Sequence, residues 1–221
     1  MTFAILARDQ ETGALGGAAA TGSLCVGGWV LRGRLGPGLS ASQGAAPSTF
    51  WGEDVLDRMA DGLTASDAVQ QITDADSGRA SRQLSALDMA GNTGAFTGDQ
   101  NQPSRDALAF DGGIAAGNML AGEHVLTVLA EAFTIATGPL DTRLLAALHA
   151  ANAAGGDFRG LQSAAMLVLH PDHPPLTLRV DYQPDDPLGA LSALHRQATT
   201  GEYATWARQV PVATDKERVL D

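Results

Sequence analysis

The sequence predicts a single α+β domain with sheet inside and helices outside. Three observations predict it. Hydrophobic periodicity switches repeatedly along the chain, in the order strands, helices, strands, helices, strands, helix. Apolar residues make up 44% of the 221 residues, enough for a core, which excludes disorder as the overall class. No linker rich in Pro, Gly or Ser divides the chain and no internal repeat recurs, so one domain is expected over 1–221.

The opening is strand-like. Thr2–Arg8 is apolar with β-branched residues, Glu11-Thr12-Gly13 reads as a turn, and Ala14–Thr21 is a run of small residues. The pattern predicts a hairpin whose first strand lies at the start of the chain. Cys25–Arg34 and Pro37–Gln43 are expected as two further strands. The period then lengthens. Ser48-Thr49 caps a helix that places Val55, Leu56 and Met59 on one face and stops at Gly62. Thr64 and Ser66 open a second helix, with Ala68, Val69 and Ile72 inward. Gln83–Met89 and Thr93–Thr97 are strands around an Ala90-Gly91-Asn92 turn, and Ala107–Ala116 is a further strand. Glu123–Ala136 and Leu140–Ala153 are helices kept apart by Gly138-Pro139. Ser163–Leu169 and Leu176–Asp181 are strands around a proline-rich loop, and Leu188–Gln209 is the final helix.

Charge narrows the function classes. With 14 basic and 25 acidic residues the net charge is −11, which repels phosphate backbones and anionic lipid. Neither nucleic acid nor a membrane is an expected partner. Thr12–Leu31 lacks charge, but its glycines and hydroxyls make it a poor helix for lipid. No basic residue precedes the first apolar run, which is the reverse of a secretory signal. A lone Cys25, read as a small core residue, excludes an intrachain disulfide and fits a reducing compartment. A cytoplasmic protein is expected. Because the one lysine is Lys216, a phosphate-loop, Schiff-base or buried Lys base is excluded from the body of the chain.

The chain holds no G-x-S-x-G elbow, H-E-x-x-H, EF-hand loop or Walker motif. His170-Pro171-Asp172-His173 has a metal-like spacing but sits among prolines, so it reads as a solvated turn; His124, His149 and His195 read as structural. No metal and no cofactor are expected. What remains is Thr2. With Met1 removed, it would carry a hydroxyl and a free α-amine, whose ordinary pKa of about 7.7–8.0 lets it accept a proton near neutrality. One residue then supplies nucleophile and base. A β-branched residue at the start of a strand is the plain alternative.

A family resemblance adds to this reading. Thr2–Asp9 with Glu11–Gly16, then Arg82-Gln83-Leu84, Thr97-Gly98, Gly117–Gly122, Gly155–Ala165 and Leu178-Arg179-Val180-Asp181 follow one another as in a bacterial and archaeal family, domain of unknown function 1028. The resemblance covers about residues 2–190 and leaves 191–221 as a C-terminal helix and tail. That family resembles the N-terminal-nucleophile (Ntn) hydrolases, which implies a four-layer αββα sandwich and amide hydrolysis. Carried over by position, Thr2 is the nucleophile and Asn118 an oxyanion donor, or else a strand-end amide that satisfies backbone groups. Gln43, Asp157, Arg159, Gln162 and Ser163 are the substrate-binding positions. Within that set Asp157 and Arg159 are expected to pair and hold their turn, and Ser163 to face the pocket. Relatives often carry Ser-Lys where this chain has Thr21-Gly22, and a His where it has Phe96.

The reading that results is an amidohydrolase acting on a small-molecule amide, in a protein expected to form a homodimer. The alternative is a non-catalytic Ntn-fold protein that binds a small molecule or serves as an assembly component.

Overall fold

The computed structural model describes residues 2–101 and 104–220. The expected α+β class holds: two antiparallel sheets and seven α-helices are present among the described residues. The strands are β1 (Thr2–Arg8), β2 (Leu15–Thr21), β3 (Leu31–Arg34), β4 (Gly38–Gly44), β5 (Arg82–Asp88), β6 (Thr93–Thr97), β7 (Asp106–Phe110), β8 (Gly113–Asn118), β9 (Ser163–His170) and β10 (His173–Val180). The helices are α1 (Val26–Trp29), α2 (Thr49–Ala60), α3 (Ala65–Asp74), α4 (His124–Ile135), α5 (Leu140–Ala153), α6 (Pro187–Thr199) and α7 (Gly201–Ala207).

A six-stranded sheet runs β10-β9-β2-β1-β8-β7 and a four-stranded sheet runs β3-β4-β5-β6. Side-chain alternation divides their faces. Along β1, Phe3, Ile5 and Ala7 join an apolar cluster with Leu129 and Phe133 of α4 and Leu144 and Leu148 of α5. Ala4 and Leu6 point the other way, into a cluster with Leu39 and Ala41 of β4 and Leu87 of β5. The far face of the smaller sheet, through Leu84 and Ala86, packs on Trp51, Val55 and Leu56 of α2 and Val69 of α3. The two sheets therefore face each other across an apolar seam, and each carries helices on its opposite face.

Small residues let these layers approach. In β2, LGGAAAT, every residue is buried, and Leu140 and Leu144 of α5 lie where a side chain at Gly16 would stand. The helix caps read from sequence are present, since Ser48 accepts from the Trp51 N–H and Thr64 from the Asp67 N–H.

Three expected elements change. Cys25–Arg34 is not one strand. Its first part turns into α1, because the Cys25 N–H donates to the Asp181 carbonyl and the Val26 N–H to the Ser163 hydroxyl rather than to a strand neighbour. Cys25 adopts a left-handed φ of 59° and is half-exposed, so it is not a core residue. Ala107–Ala116 is a hairpin, β7 and β8, folded at Asp111-Gly112, where Gly112 takes φ 86°. Leu188–Gln209 is two helices, because Thr200 is extended and Gly201 has φ 68°. The 170–173 segment is a turn, as expected, between strands that begin and end at its two histidines.

No helix among the described residues is long and apolar enough to cross a membrane.

Candidate functional site

Register and alternation together collect polar residues at one end of the seam. Thr2 pairs with Asn118 across β1 and β8, and Thr21 pairs with Ser163 across β2 and β9. The β1–β2 pairing sets Phe3 against Ala20, so Thr21 lies beside Thr2. Ala4, Ala19 and Ala165 face the seam, and the strand period of two turns Thr2, Thr21 and Ser163 the same way. The smaller sheet does likewise: Gln43 pairs with Gln83, and Gln83 with Thr97. Two sheets whose seam is otherwise mostly apolar thus end in a row of hydroxyls and amides.

The amides form one network. Gln83 Nε2 lies within hydrogen-bond distance of Thr97 Oγ1 at 2.9 Å and of the Asp106 and Gly117 carbonyls at 3.0 Å. Backbone carbonyls accept and never donate, so they fix which end of the Gln83 amide is nitrogen. Its Oε1 then accepts from Gln43 Nε2 at 2.7 Å and Asn118 Nδ2 at 3.2 Å. Gln43 and Asn118 must turn their carbonyl oxygens away from Gln83. Both oxygens, Gln43 Oε1 and Asn118 Oδ1, are buried and unpartnered among the described residues. An unmet buried acceptor costs about 1–3 kcal/mol, which marks this pair as the exception in an otherwise satisfied site.

A cavity of about 540 Å³ opens beside them. Thr2, Thr21 and Gln43 lie on its wall with Leu24, Val26 and Trp29 from the α1 region, Met119 from the turn after β8, and Arg159. Thr2 Oγ1 donates to Thr21 Oγ1 at 3.2 Å. Thr2 is 6% exposed and lies on the cavity wall. Met119 takes a left-handed φ of 58°, uncommon for a side chain of its size, so the chain turns sharply as it leaves Asn118. Gly44, at φ 128°, makes the matching turn after Gln43; a Cβ there would stand 2.7 Å from the Ser81 carbonyl oxygen.

Of the positions carried over by resemblance, the structure brings Thr2, Gln43 and Arg159 to the cavity and puts Asn118 behind it, fully buried and off its wall. Asp157 is buried in the turn below. It accepts from the Gly22 N–H at 2.5 Å and the Arg159 N–H at 2.9 Å, and it pairs with the Arg159 guanidinium at 3.1 Å. A Cβ at Gly22 would meet the Gly160 carbonyl oxygen at 2.5 Å, so the lysine of relatives has no room here. Ser163 does not line the cavity: its hydroxyl donates to the Ser23 carbonyl at 2.7 Å and accepts from the Val26 N–H, fixing the start of α1. Gln162 acts through its backbone, donating to the Thr21 carbonyl and accepting from the Gln183 N–H, both at 2.8 Å.

Neither Thr21 nor Gln83 is among the site positions that the sequence suggests. Hairpin arithmetic would have found the first, because every β1–β2 pair sums to 23 and Thr2 with Thr21 continues that series. Gln83 gave no local signal; its role depends on carbonyls from β7 and β8. No cluster of three metal-ligating side chains occurs among the described residues.

The fold and site together define a mixed α+β protein with two facing antiparallel sheets and a hydroxyl–amide site at the end of their seam. A family of unknown function, DUF1028, matches residues 2–191, and the chain belongs to it. The chain is also similar to the crystal structure of protein SPO2555 from Silicibacter pomeroyi, of the same family, at 62% identity and a TM-score of 0.96, covering 100% of this chain and 99% of that one. The comparison with curated proteins gives no match.

Proposed function

We propose that this chain is an amidohydrolase of the N-terminal-nucleophile type, built as a four-layer αββα sandwich, that cleaves a small-molecule amide through Thr2. One observation carries the reading: Thr2, at the head of β1, places a hydroxyl on the wall of a 540 Å³ cavity, beside buried amides with unmet capacity.

In this reading Met1 is removed and the α-amine of Thr2 is free. The amine takes the hydroxyl proton as Thr2 Oγ1 bonds to the substrate carbonyl carbon. Each of Asn118 Nδ2 and Gln43 Nε2 carries two N–H groups, one engaged by Gln83 Oε1. Of the two, Gln43 lies on the cavity wall, so its second N–H is assigned to the developing oxyanion, while Asn118 stands behind the wall and supports the Gln83 amide. The C–N bond breaks as the amine returns its proton to the leaving nitrogen, which leaves an ester on Thr2. Water, deprotonated by the same amine, then attacks that ester and releases the acid.

The second reading, a non-catalytic binder, draws on the absence of His and Lys from the described residues lining the cavity. Intact mass and an amide-library hydrolysis screen separate the two. The hydrolase reading expects a chain that starts at Thr2 and turnover that disappears in Thr2→Ala. Retained Met1, or turnover that persists in that variant, removes it.

A further inference from the structure

We propose that the ligand of this cavity is an acylated amino acid: an amide whose nitrogen bears a carbon carrying a free carboxylate. The proposal rests on the hydrolase reading only for the fate of the amide bond. The binding argument stands separately.

Three features of the wall carry it. The first is charge. In a chain of net charge −11, no carboxylate lines the cavity, and among the described lining residues Arg159 is the one that carries charge. Its guanidinium is held in place rather than loose. Nε and Nη2 donate to the Asp157 carboxylate at 3.3 and 3.1 Å, Nη2 also reaches Ser23 Oγ at 3.3 Å, and the backbone N–H of Arg159 is tied to the same carboxylate. Asp157 itself is anchored from across the fold by the Gly22 N–H. The remaining nitrogen, Nη1, makes no hydrogen bond among the described residues. A planar guanidinium fixed on one edge with donors to spare on the other is suited to an incoming carboxylate.

The second feature is an acceptor. Gln43 Oε1 lacks a partner while its residue is 1% exposed and lies on the cavity wall. The Gln83 network prevents the amide from turning its nitrogen there instead. A secondary amide seated against Gln43 carries the N–H that this side-chain oxygen lacks. The third feature is apolar. Leu24 and Trp29 are each 52% exposed on the α1 side of the cavity, and Met119 closes another side, which gives an apolar side chain or acyl group a surface to cover. Carboxylate donor, N–H acceptor and apolar wall on one cavity match the three parts of an acylated apolar amino acid. Hydrolysis would add water across the amide and release the acyl group as an acid and the amino acid as an amine.

The test uses binding first, so that it does not depend on turnover. Full-length Thr2→Ala is titrated calorimetrically with N-acetyl-leucine and with N-acetyl-leucinamide, which differ only in the carboxylate. The expected result is that the acid binds at least about tenfold more tightly, the worth of one charge-assisted contact. In Thr2→Ala/Arg159→Met the preference should fall to within about twofold. Because Arg159→Met strips a partner from buried Asp157, Arg159→Lys is measured alongside; a point charge without the guanidinium fork should keep only part of the preference. Equal or tighter binding of the neutral amide to the Thr2→Ala protein overturns the proposal, and that comparison needs no change at Arg159. Hydrolysis by the unsubstituted protein then separates the two readings. Acid-selective binding without turnover supports this inference and removes the hydrolase; turnover of neutral amides without preference for the acid does the reverse.

Discussion

The two ends of β1 meet polar residues in opposite ways. At its start, Thr2 faces a cavity of about 540 Å³ with no acid on its wall and two buried acceptors unmet. Just past its end, Asp9 lines a groove of about 1020 Å³ shared with Asp141, Pro139 and Trp206. The larger space is not the better candidate site. Asp9 accepts from the Thr12 N–H and hydroxyl and from the Glu11 N–H, and pairs with Arg143 at 3.4 Å. Burial alone would raise the Asp9 carboxyl, but these bonds and the Arg143 charge outweigh it and hold the group below its ordinary value of 3.8. Asp141 follows the same pattern, with burial opposed by hydrogen bonds from His195 and the Thr142 N–H, and it too titrates below the ordinary value. Satisfied groups hold a fold together. An unsatisfied buried group marks a candidate site only where a cavity adjoins it: Arg8 Nε, at this end of β1, is also buried without a partner, and Arg8 lines neither space.

The contrast can be broken most decisively at Thr2. Thr2→Ala should lower turnover of an amide substrate by at least about 10³-fold, the scale for removing a nucleophile. The same change removes one side-chain hydrogen bond and should cost only about 1 kcal/mol of stability. Comparable losses in both readouts would mean Thr2 is structural.

Gln83 is expected to show the largest effect on stability. In Gln83→Leu the Asp106 and Gly117 carbonyls lose their shared donor, and Gln43 and Asn118 lose their acceptor. Several buried groups stranded together should cost about 3 kcal/mol or more in denaturant unfolding. A midpoint unchanged from the parent would dissolve the network argument.

At the other end of β1, pH should reveal the satisfied carboxylates. A carboxyl lowered in the folded state stabilises above its unfolded value, and that contribution disappears as pH falls through the folded one. Asp141→Asn should therefore melt earlier than the parent at pH 7, with the gap closing as pH drops below 3.8. Thermal melts across that range check it; a gap that stays constant would assign the effect to packing.

The smallest change in stability is expected at Gln43. Gln43→Met removes one donor but also a buried acceptor that had no partner, so stability should move by less than about 1 kcal/mol. Substrate KM should rise all the same. A strong loss of stability would show that the orphaned oxygen has a structural partner.

Much of the architecture was legible because it is local. Alternation marked β1 and β2, hydroxyl caps marked α2 and α3, and Gly138-Pro139 separated α4 from α5. Where the reading failed, a breaker was outvoted by apolar neighbours. Asp111-Gly112 folds β7 onto β8 within a run read as one strand, and Thr200-Gly201 divides a helix whose pattern looked continuous. The turn into α1 had no comparable local cause, since its bonds come from Ser163 and Asp181, more than a hundred residues away.

By itself, the sequence determined an α+β chain, its acidity, its shortage of lysine and histidine chemistry, and a threonine at the head of the first strand. Only the tertiary structure decided which polar residues meet. Gln83 reaches carbonyls of the other sheet, that contact orients its amide, and the orientation leaves Gln43 and Asn118 with unmet oxygens near Thr2. The physical reason is that strand periodicity sets which face a side chain takes, whereas hydrogen-bond direction depends on partners that only sheet-to-sheet packing supplies.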